Sequence, residues 1–122
     1  SPWQIALERL ENLKRKNFPQ EGKIKEYYTQ LSDILRQYVE DLFHIKSPEM
    51  TTPEFLWHLK DVPALHRSGA GRDLTESQKN VLRDFLNTCD LVKFARYHPP
   101  VKDVEEGLSL AEKFIKETKP NP

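Results

Sequence analysis

The stretch from Ile24 to Phe43 contains neither glycine nor proline and places apolar residues at alternating spacings of four and three. Spacing of this kind puts the side chains on one face of an α-helix, which would be about 30 Å long at about 1.5 Å per residue. A helix with so wide an apolar face is not stable alone in water. The rest of the chain must therefore supply helices that pack along it. The repeating positions are Ile24, Tyr28, Leu31, Leu35, Tyr38 and Leu42.

Four further segments carry helix signals. Thr52 is expected to cap a short helix that has Pro53 at its first position, and Thr75 with Gln78 forms a capping box. The sequence predicts an all-α fold, a single helical bundle of about five helices, with the Ile24–Phe43 and Thr75–Tyr97 helices at its centre. The four segments run from about Pro2 to Lys16, from Thr52 to a point before Pro63, from Thr75 to about Tyr97, and from about Val101 to Lys116.

The Thr75–Tyr97 helix becomes apolar on nearly all sides towards its end, where Leu91, Phe94 and Ala95 lie opposite the main apolar stripe. We therefore expect it to become more deeply buried as it proceeds. The weakly patterned stretch before it, from Asp61 to Asp73, contains Gly69 and Gly71 and is expected to form a mobile loop.

Composition argues against a nucleic-acid-binding function and against an internal disulfide. The 19 basic and 19 acidic residues cancel, whereas a dedicated nucleic-acid-binding protein usually has a basic excess. Cys89 is the one cysteine, so no internal disulfide can form. The chain begins at Ser1 already inside an amphipathic pattern, and we therefore expect it to be a segment of a longer protein.

The sequence contains few residues in patterns that would support catalysis. The four histidines are scattered without metal-ligand spacing, and Cys89 on the apolar stripe is most simply a core residue. The glycine pair at positions 69 and 71 lacks the preceding strand that a phosphate-binding loop requires. We expect no enzymatic activity, cofactor or metal; the alternative is a small enzyme that uses Cys89 or a histidine near the glycine loop. The histidines are His44, His58, His66 and His98.

Six polar or aromatic residues within apolar segments could have either a structural role or a role in binding a partner. Asp90 and Lys93 are three positions apart and can pair on one helix face, and Arg36 lies at the middle of the long helix. A contact between Arg36 and Asp90 would be a charge-assisted hydrogen bond that fixes helix register. The same basic and aromatic residues could instead form a partner-binding patch, and both interpretations stay open. The candidates are Arg36, Tyr38, Asp90, Lys93, Arg96 and Tyr97.

Four segments in order, at positions 5–14, 27–40, 50–56 and 90–95, carry a family resemblance. The most specific patterns are YxxLSxILRxY, TTxEFL and DLVKFA. Together the segments resemble the C-terminal soluble portion of bacterial membrane proteins of the Bat aerotolerance type. They are similar also to related uncharacterised membrane proteins encoded near MoxR-type ATPases and von Willebrand factor A proteins.

The resemblance implies a function. In that family this portion follows a transmembrane helix on the cytoplasmic side, with no known catalytic residue or cofactor. It implies an interaction or assembly module that docks onto membrane-complex subunits, including the MoxR-type ATPase or the von Willebrand A protein. Residues 1–122 would then be one helical domain excised from a membrane-anchored parent at the bacterial inner membrane. No nucleic acid is expected as a partner.

Overall fold

The computed structural model describes residues 1–44, 50–61 and 74–120. Within these ranges the protein has five helices and no strand, which confirms the all-α bundle predicted from the sequence. The expected mobile loop lies almost wholly outside the described residues, together with His66 and the glycine pair. The helices are α1 (Pro2–Arg15), α2 (Ile24–Phe43), α3 (Thr52–Asp61), α4 (Glu76–Phe94) and α5 (Val101–Thr118).

Two capping boxes open helices, and only one lies where the sequence predicts it. The Thr75 hydroxyl accepts a hydrogen bond from the Gln78 backbone N–H at 3.0 Å, and the Gln78 side chain accepts from the Thr75 N–H at 2.9 Å. At α3, however, the cap is Thr51 and not Thr52: the Thr51 hydroxyl accepts from the Glu54 N–H at 3.3 Å, while the Glu54 carboxylate accepts from the Thr51 N–H. The Glu54 side chain completes the reciprocal pair, and this selects Thr51.

Helix α2 is the centre of the bundle, because it packs against α1, α4 and α5, while α3 packs against α4. Ten of its residues are buried, including Leu31 and Val39, neither of which has any exposed surface. Leu10 and Leu13 from α1, Leu82 and Leu86 from α4, and Ala111 and Ile115 from α5 complete the core.

The end of α4 is exposed, and the expectation of deeper burial there is wrong. Helices α2 and α5 cover only the face that carries Phe85, Cys89 and Val92, whereas Phe94 on the opposite side is 78% exposed. The helix also ends at Phe94, three residues before the predicted end. Arg96 has a left-handed φ of 56°, and this turns the chain away before a further helical turn can form.

Two tyrosines of α2 bind the backbone of α5. The Tyr27 hydroxyl donates a hydrogen bond to the Val104 carbonyl at 2.8 Å and accepts one from the Leu108 N–H at 3.2 Å. The Tyr38 hydroxyl lies 3.3 Å from the Ile115 carbonyl oxygen. Both tyrosine–carbonyl pairs are separated by 77 residues along the chain. Since the two contacts advance in the same direction on both helices, α2 and α5 run parallel.

Gly107 permits the close approach of these two helices. A Cβ atom at this position would lie 2.9 Å from the Tyr27 hydroxyl oxygen and 3.2 Å from a methyl carbon of Leu31. The first distance is shorter than ordinary van der Waals contact, so any larger residue would push α5 away from α2.

We predict that Gly107→Ala lowers the free energy of unfolding by roughly 1–3 kcal/mol, because the added methyl overpacks the α2–α5 contact. At an open helix position the same change would stabilise by about 1 kcal/mol. Urea titration measures the difference, and Ser109→Ala on the exposed face of α5 serves as the control. Because Tyr27→Phe removes the nearest oxygen, the loss should shrink in that background. An equal loss in both backgrounds would contradict the contact.

The buried tyrosines also make stability sensitive to alkali. Burial raises the pKa of Tyr27 from 10.0 to about 12, and burial raises the pKa values of Tyr28 and Tyr38 as well. The folded state therefore holds these protons more tightly than the unfolded state, and the resulting stability is present below pH 10 and lost as the pH rises through about 12. We expect a lower urea midpoint at about pH 11 than at about pH 8, with a smaller drop in Tyr27→Phe. Equal drops in both proteins would contradict the assignment.

Candidate functional site

The six candidate residues lie in three different environments. Tyr38 belongs to the core and is buried against Phe114 and Thr118 of α5. Arg36, Asp90 and Lys93 are half-buried near the contact of α2 with its neighbours, whereas Arg96 and Tyr97 are exposed beyond the end of α4. The six therefore do not form one network.

Arg36 has a structural partner different from the one expected. Its guanidinium donates a hydrogen bond to the Met50 carbonyl at 2.6 Å and lies 4.9 Å from the centre of the Phe55 ring. These contacts attach the start of α3 to the middle of α2. Among the hydrogen bonds and ion pairs of the described residues, none joins Arg36 to Asp90.

Lys93 also makes contacts that do not involve Asp90. Its ammonium donates to the Ser32 hydroxyl at 3.4 Å, and that hydroxyl donates in turn to the Thr29 carbonyl at 3.0 Å. The same ammonium lies 5.2 Å from the centre of the Phe94 ring. Lys93 therefore contacts both Ser32, which is buried on α2, and Phe94, which is exposed at the end of α4.

The largest exposed apolar side chains near this point form what we call the α4-end surface, defined as Leu91, Phe94, Tyr97 and Val101. Their exposed fractions are 48%, 78%, 41% and 73%, respectively. The Tyr97 N–H donates to the Leu91 carbonyl at 3.1 Å, which folds the chain after α4 back against its last turn. This hydrogen bond fixes the backbone of Tyr97 beside Leu91. The Lys93 ammonium lies next to the Phe94 ring, and Arg96 directly precedes Tyr97.

A cleft of about 360 Å³ adjoins this surface through Val101. Pro19 and Gln20 from the α1–α2 turn form one wall, and His98 and Pro99 from the α4–α5 connection form another. Because proline fixes φ, these walls are stiffer than ordinary loops. The remaining lining residues are Ile24, Val104 and Glu105.

Cys89 does not have the environment of a nucleophile. It is fully buried, and burial raises the pKa of its thiol to about 12, although Lys93 acts in the opposite direction. A nucleophilic cysteine needs an accessible thiolate, so Cys89 serves the core. His58 and His98 are exposed, and no group of three potential metal ligands occurs in the part of the chain that the structure describes.

Comparison of the chain with protein-family models, with curated proteins and with solved structures gave no match. None of the five helices, as described, is long and apolar enough to cross a bilayer. The resemblance to the Bat aerotolerance type consequently stays a prediction.

The exposure of the Phe94 side chain to solvent is not predicted from the sequence. An apolar residue on the second side of a helix end is compatible with burial or with a surface for a partner. In the structure Phe94 is 78% exposed. The helix end is also hard to predict, because the left-handed residue is Arg96 and not the glycine or asparagine that usually signals such a turn.

We predict that Arg36→Ala destabilises the protein by about 1–3 kcal/mol, because it leaves the Met50 carbonyl without its charged donor and removes the contact with Phe55. Asp90→Ala should cost less than about 1 kcal/mol, because no buried charge loses a partner. Urea titration of both variants gives the comparison. A cost of about 3–5 kcal/mol for Asp90→Ala would instead indicate a buried ion pair and contradict this arrangement.

Proposed function

We propose that this protein is a non-enzymatic interaction module that binds a protein partner through the α4-end surface. The observation that carries the proposal is the exposure of Phe94 at the end of a capped, well-packed helix. Burial of a phenylalanine side chain is worth about 1.5–3 kcal/mol. A partner that covers Phe94 would gain most of this energy.

The composition of the surface supports a protein as the partner. Aromatic residues and arginine are enriched where proteins bind one another, and a few such residues usually carry most of the affinity. Here Phe94 and Tyr97 supply the aromatic rings, while Lys93 and Arg96 supply positive charge at the rim. The adjoining cleft offers a concave site for a side chain of the partner.

The identity of the partner rests on the sequence resemblance. It favours a complex at the cytoplasmic face of the bacterial inner membrane, related to stress or aerotolerance. A MoxR-type ATPase and a von Willebrand factor A protein are the partners it implies. Within this proposal the membrane anchor belongs to the parent protein.

Photo-crosslinking from position 94 tests the proposal. A benzoylphenylalanine replaces Phe94 in the full-length protein, expressed in its own bacterium, and the cross-linked proteins are identified by mass spectrometry. We expect a MoxR-type ATPase or a von Willebrand A protein. With the purified partner, Phe94→Ser should weaken binding about thirtyfold or more, as expected for a hot-spot residue.

Ile5 provides the matched control, because it is an exposed apolar residue on another helix, α1, with 53% of its surface accessible. Cross-linking from position 5 should not capture these partners, and Ile5→Ser should leave their binding unchanged. Since Phe94 is exposed, Phe94→Ser should alter stability by no more than about 0.5 kcal/mol. Equal cross-linking from both positions, or neither partner recovered from position 94, would contradict the proposal.

A further inference from the structure

A second concave surface lies between α4 and α5. We call it the α4–α5 groove; its volume is about 350 Å³. Two exposed apolar residues, Val81 of α4 and Leu110 of α5, lie on its opposite sides. Phe85 and Gly107 extend the apolar lining inwards, and the groove thus has an apolar interior that is open to solvent.

Tyr28 lies at the base of the groove and is only 3% exposed. Its ring packs edge-on against Tyr27 with the centroids 5.3 Å apart. Unlike the hydroxyls of Tyr27 and Tyr38, the Tyr28 hydroxyl has no hydrogen-bond partner among the described residues. A buried hydroxyl without a partner is unfavourable, so this group is available to a ligand.

Three carboxylates surround the groove, namely Asp84, Asp103 and Glu106. Asp84 lies 3.5 Å from the guanidinium of its neighbour Arg83 in an exposed pair, which is a weak interaction. Asp103 and Glu106 have no hydrogen bond or ion pair with other described residues. No basic side chain lines the groove, and its charge therefore favours a cation.

We propose that the α4–α5 groove binds a basic amphipathic helix of a protein partner, with a lysine or arginine side chain that enters the groove. The apolar sides formed by Val81 and Leu110 require an occupant with an apolar face, and the carboxylates require positive charge beside it. An amphipathic helix laid in a groove presents both. The charged end of the entering side chain pairs with Asp103 and Glu106 and donates to the Tyr28 hydroxyl.

This inference rests on the proposed function in one respect, since it takes the protein to be an interaction module. It concerns a different surface, lined by none of the residues of the α4-end surface. Either site can therefore fail without the other. Binding in the groove is measured with a peptide, whereas the α4-end surface is tested by cross-linking from position 94.

The probe is a synthetic peptide of leucine, alanine and lysine, about 14 residues or four helical turns long, with leucines along one stripe and lysines on both sides of it. Its binding to the protein is followed by calorimetry and by the NMR signals of methyl groups. We expect saturable binding that shifts the methyl signals of Val81 and Leu110 and leaves those of Ile5 in place. A peptide of the same pattern with glutamate for lysine should not bind.

Two double variants with the same change in net charge distinguish binding in the groove from attraction of the peptide by the overall charge of the protein. Asp103→Asn with Glu106→Gln should weaken the peptide about tenfold, because the entering cation loses two charged acceptors. Glu8→Gln with Glu11→Gln changes the net charge of the protein equally on the exposed face of α1 and should have little effect. An equal loss in both double variants would show attraction by net charge alone and overturn the proposal.

Tyr28→Phe gives the second, independent test. Because its hydroxyl has no described partner, removing the oxygen should leave the stability unchanged or raise it, while the peptide binds about threefold to tenfold more weakly. Weaker binding without a loss of stability would show that the hydroxyl contacts the peptide. Unchanged affinity, or an absence of saturable binding to the unmodified protein, would overturn the proposal even if cross-linking from position 94 succeeds.

Discussion

The hydroxyl of Tyr27 lies between a carbonyl and an N–H that belong to the same turn of α5. In an undisturbed helix these two groups, on Val104 and Leu108, are the partners of one backbone hydrogen bond. The hydroxyl bonds to both, and Gly107 leaves room for it. This contact and the contact of Tyr38 with the Ile115 carbonyl together fix the register of α5 on α2. The cleft beside Val101 and the α4–α5 groove both depend on that register, because α5 contributes residues to each.

The sequence predicts the helices better than it predicts their surfaces. The limits of α2 at Ile24 and Phe43 agree with the structure because an uninterrupted apolar stripe is a local signal. The capping box at Thr75 is local as well. The cap of α3 at Thr51 differs by one residue because two adjacent threonines offer the same chemistry, and only the contact with Glu54 distinguishes them.

The surfaces depend on contacts that are distant along the chain. Arg36 binds the Met50 carbonyl in place of Asp90, and a backbone acceptor of this kind leaves no mark in the sequence. Phe94 is exposed because α2 and α5 pack against the opposite face of α4, and the groove at Tyr28 depends on how α4 and α5 lie against α2. The two surfaces differ in chemistry: the α4-end surface is aromatic with positive charge at its edge, whereas the α4–α5 groove is bordered by carboxylates. The bundle thus has two separate surfaces that differ in charge.

The positions of both surfaces depend on the parallel packing of α2 against α5. Nuclear Overhauser contacts in solution test this packing most directly. The ring protons of Tyr27 should show contacts to Gly107 and Leu108, and those of Tyr38 should show contacts to Phe114 and Thr118. Contacts from Tyr27 to Phe114 and from Tyr38 to Val104 would mean that the helices are antiparallel. That result would contradict the register, and with it the positions of both surfaces.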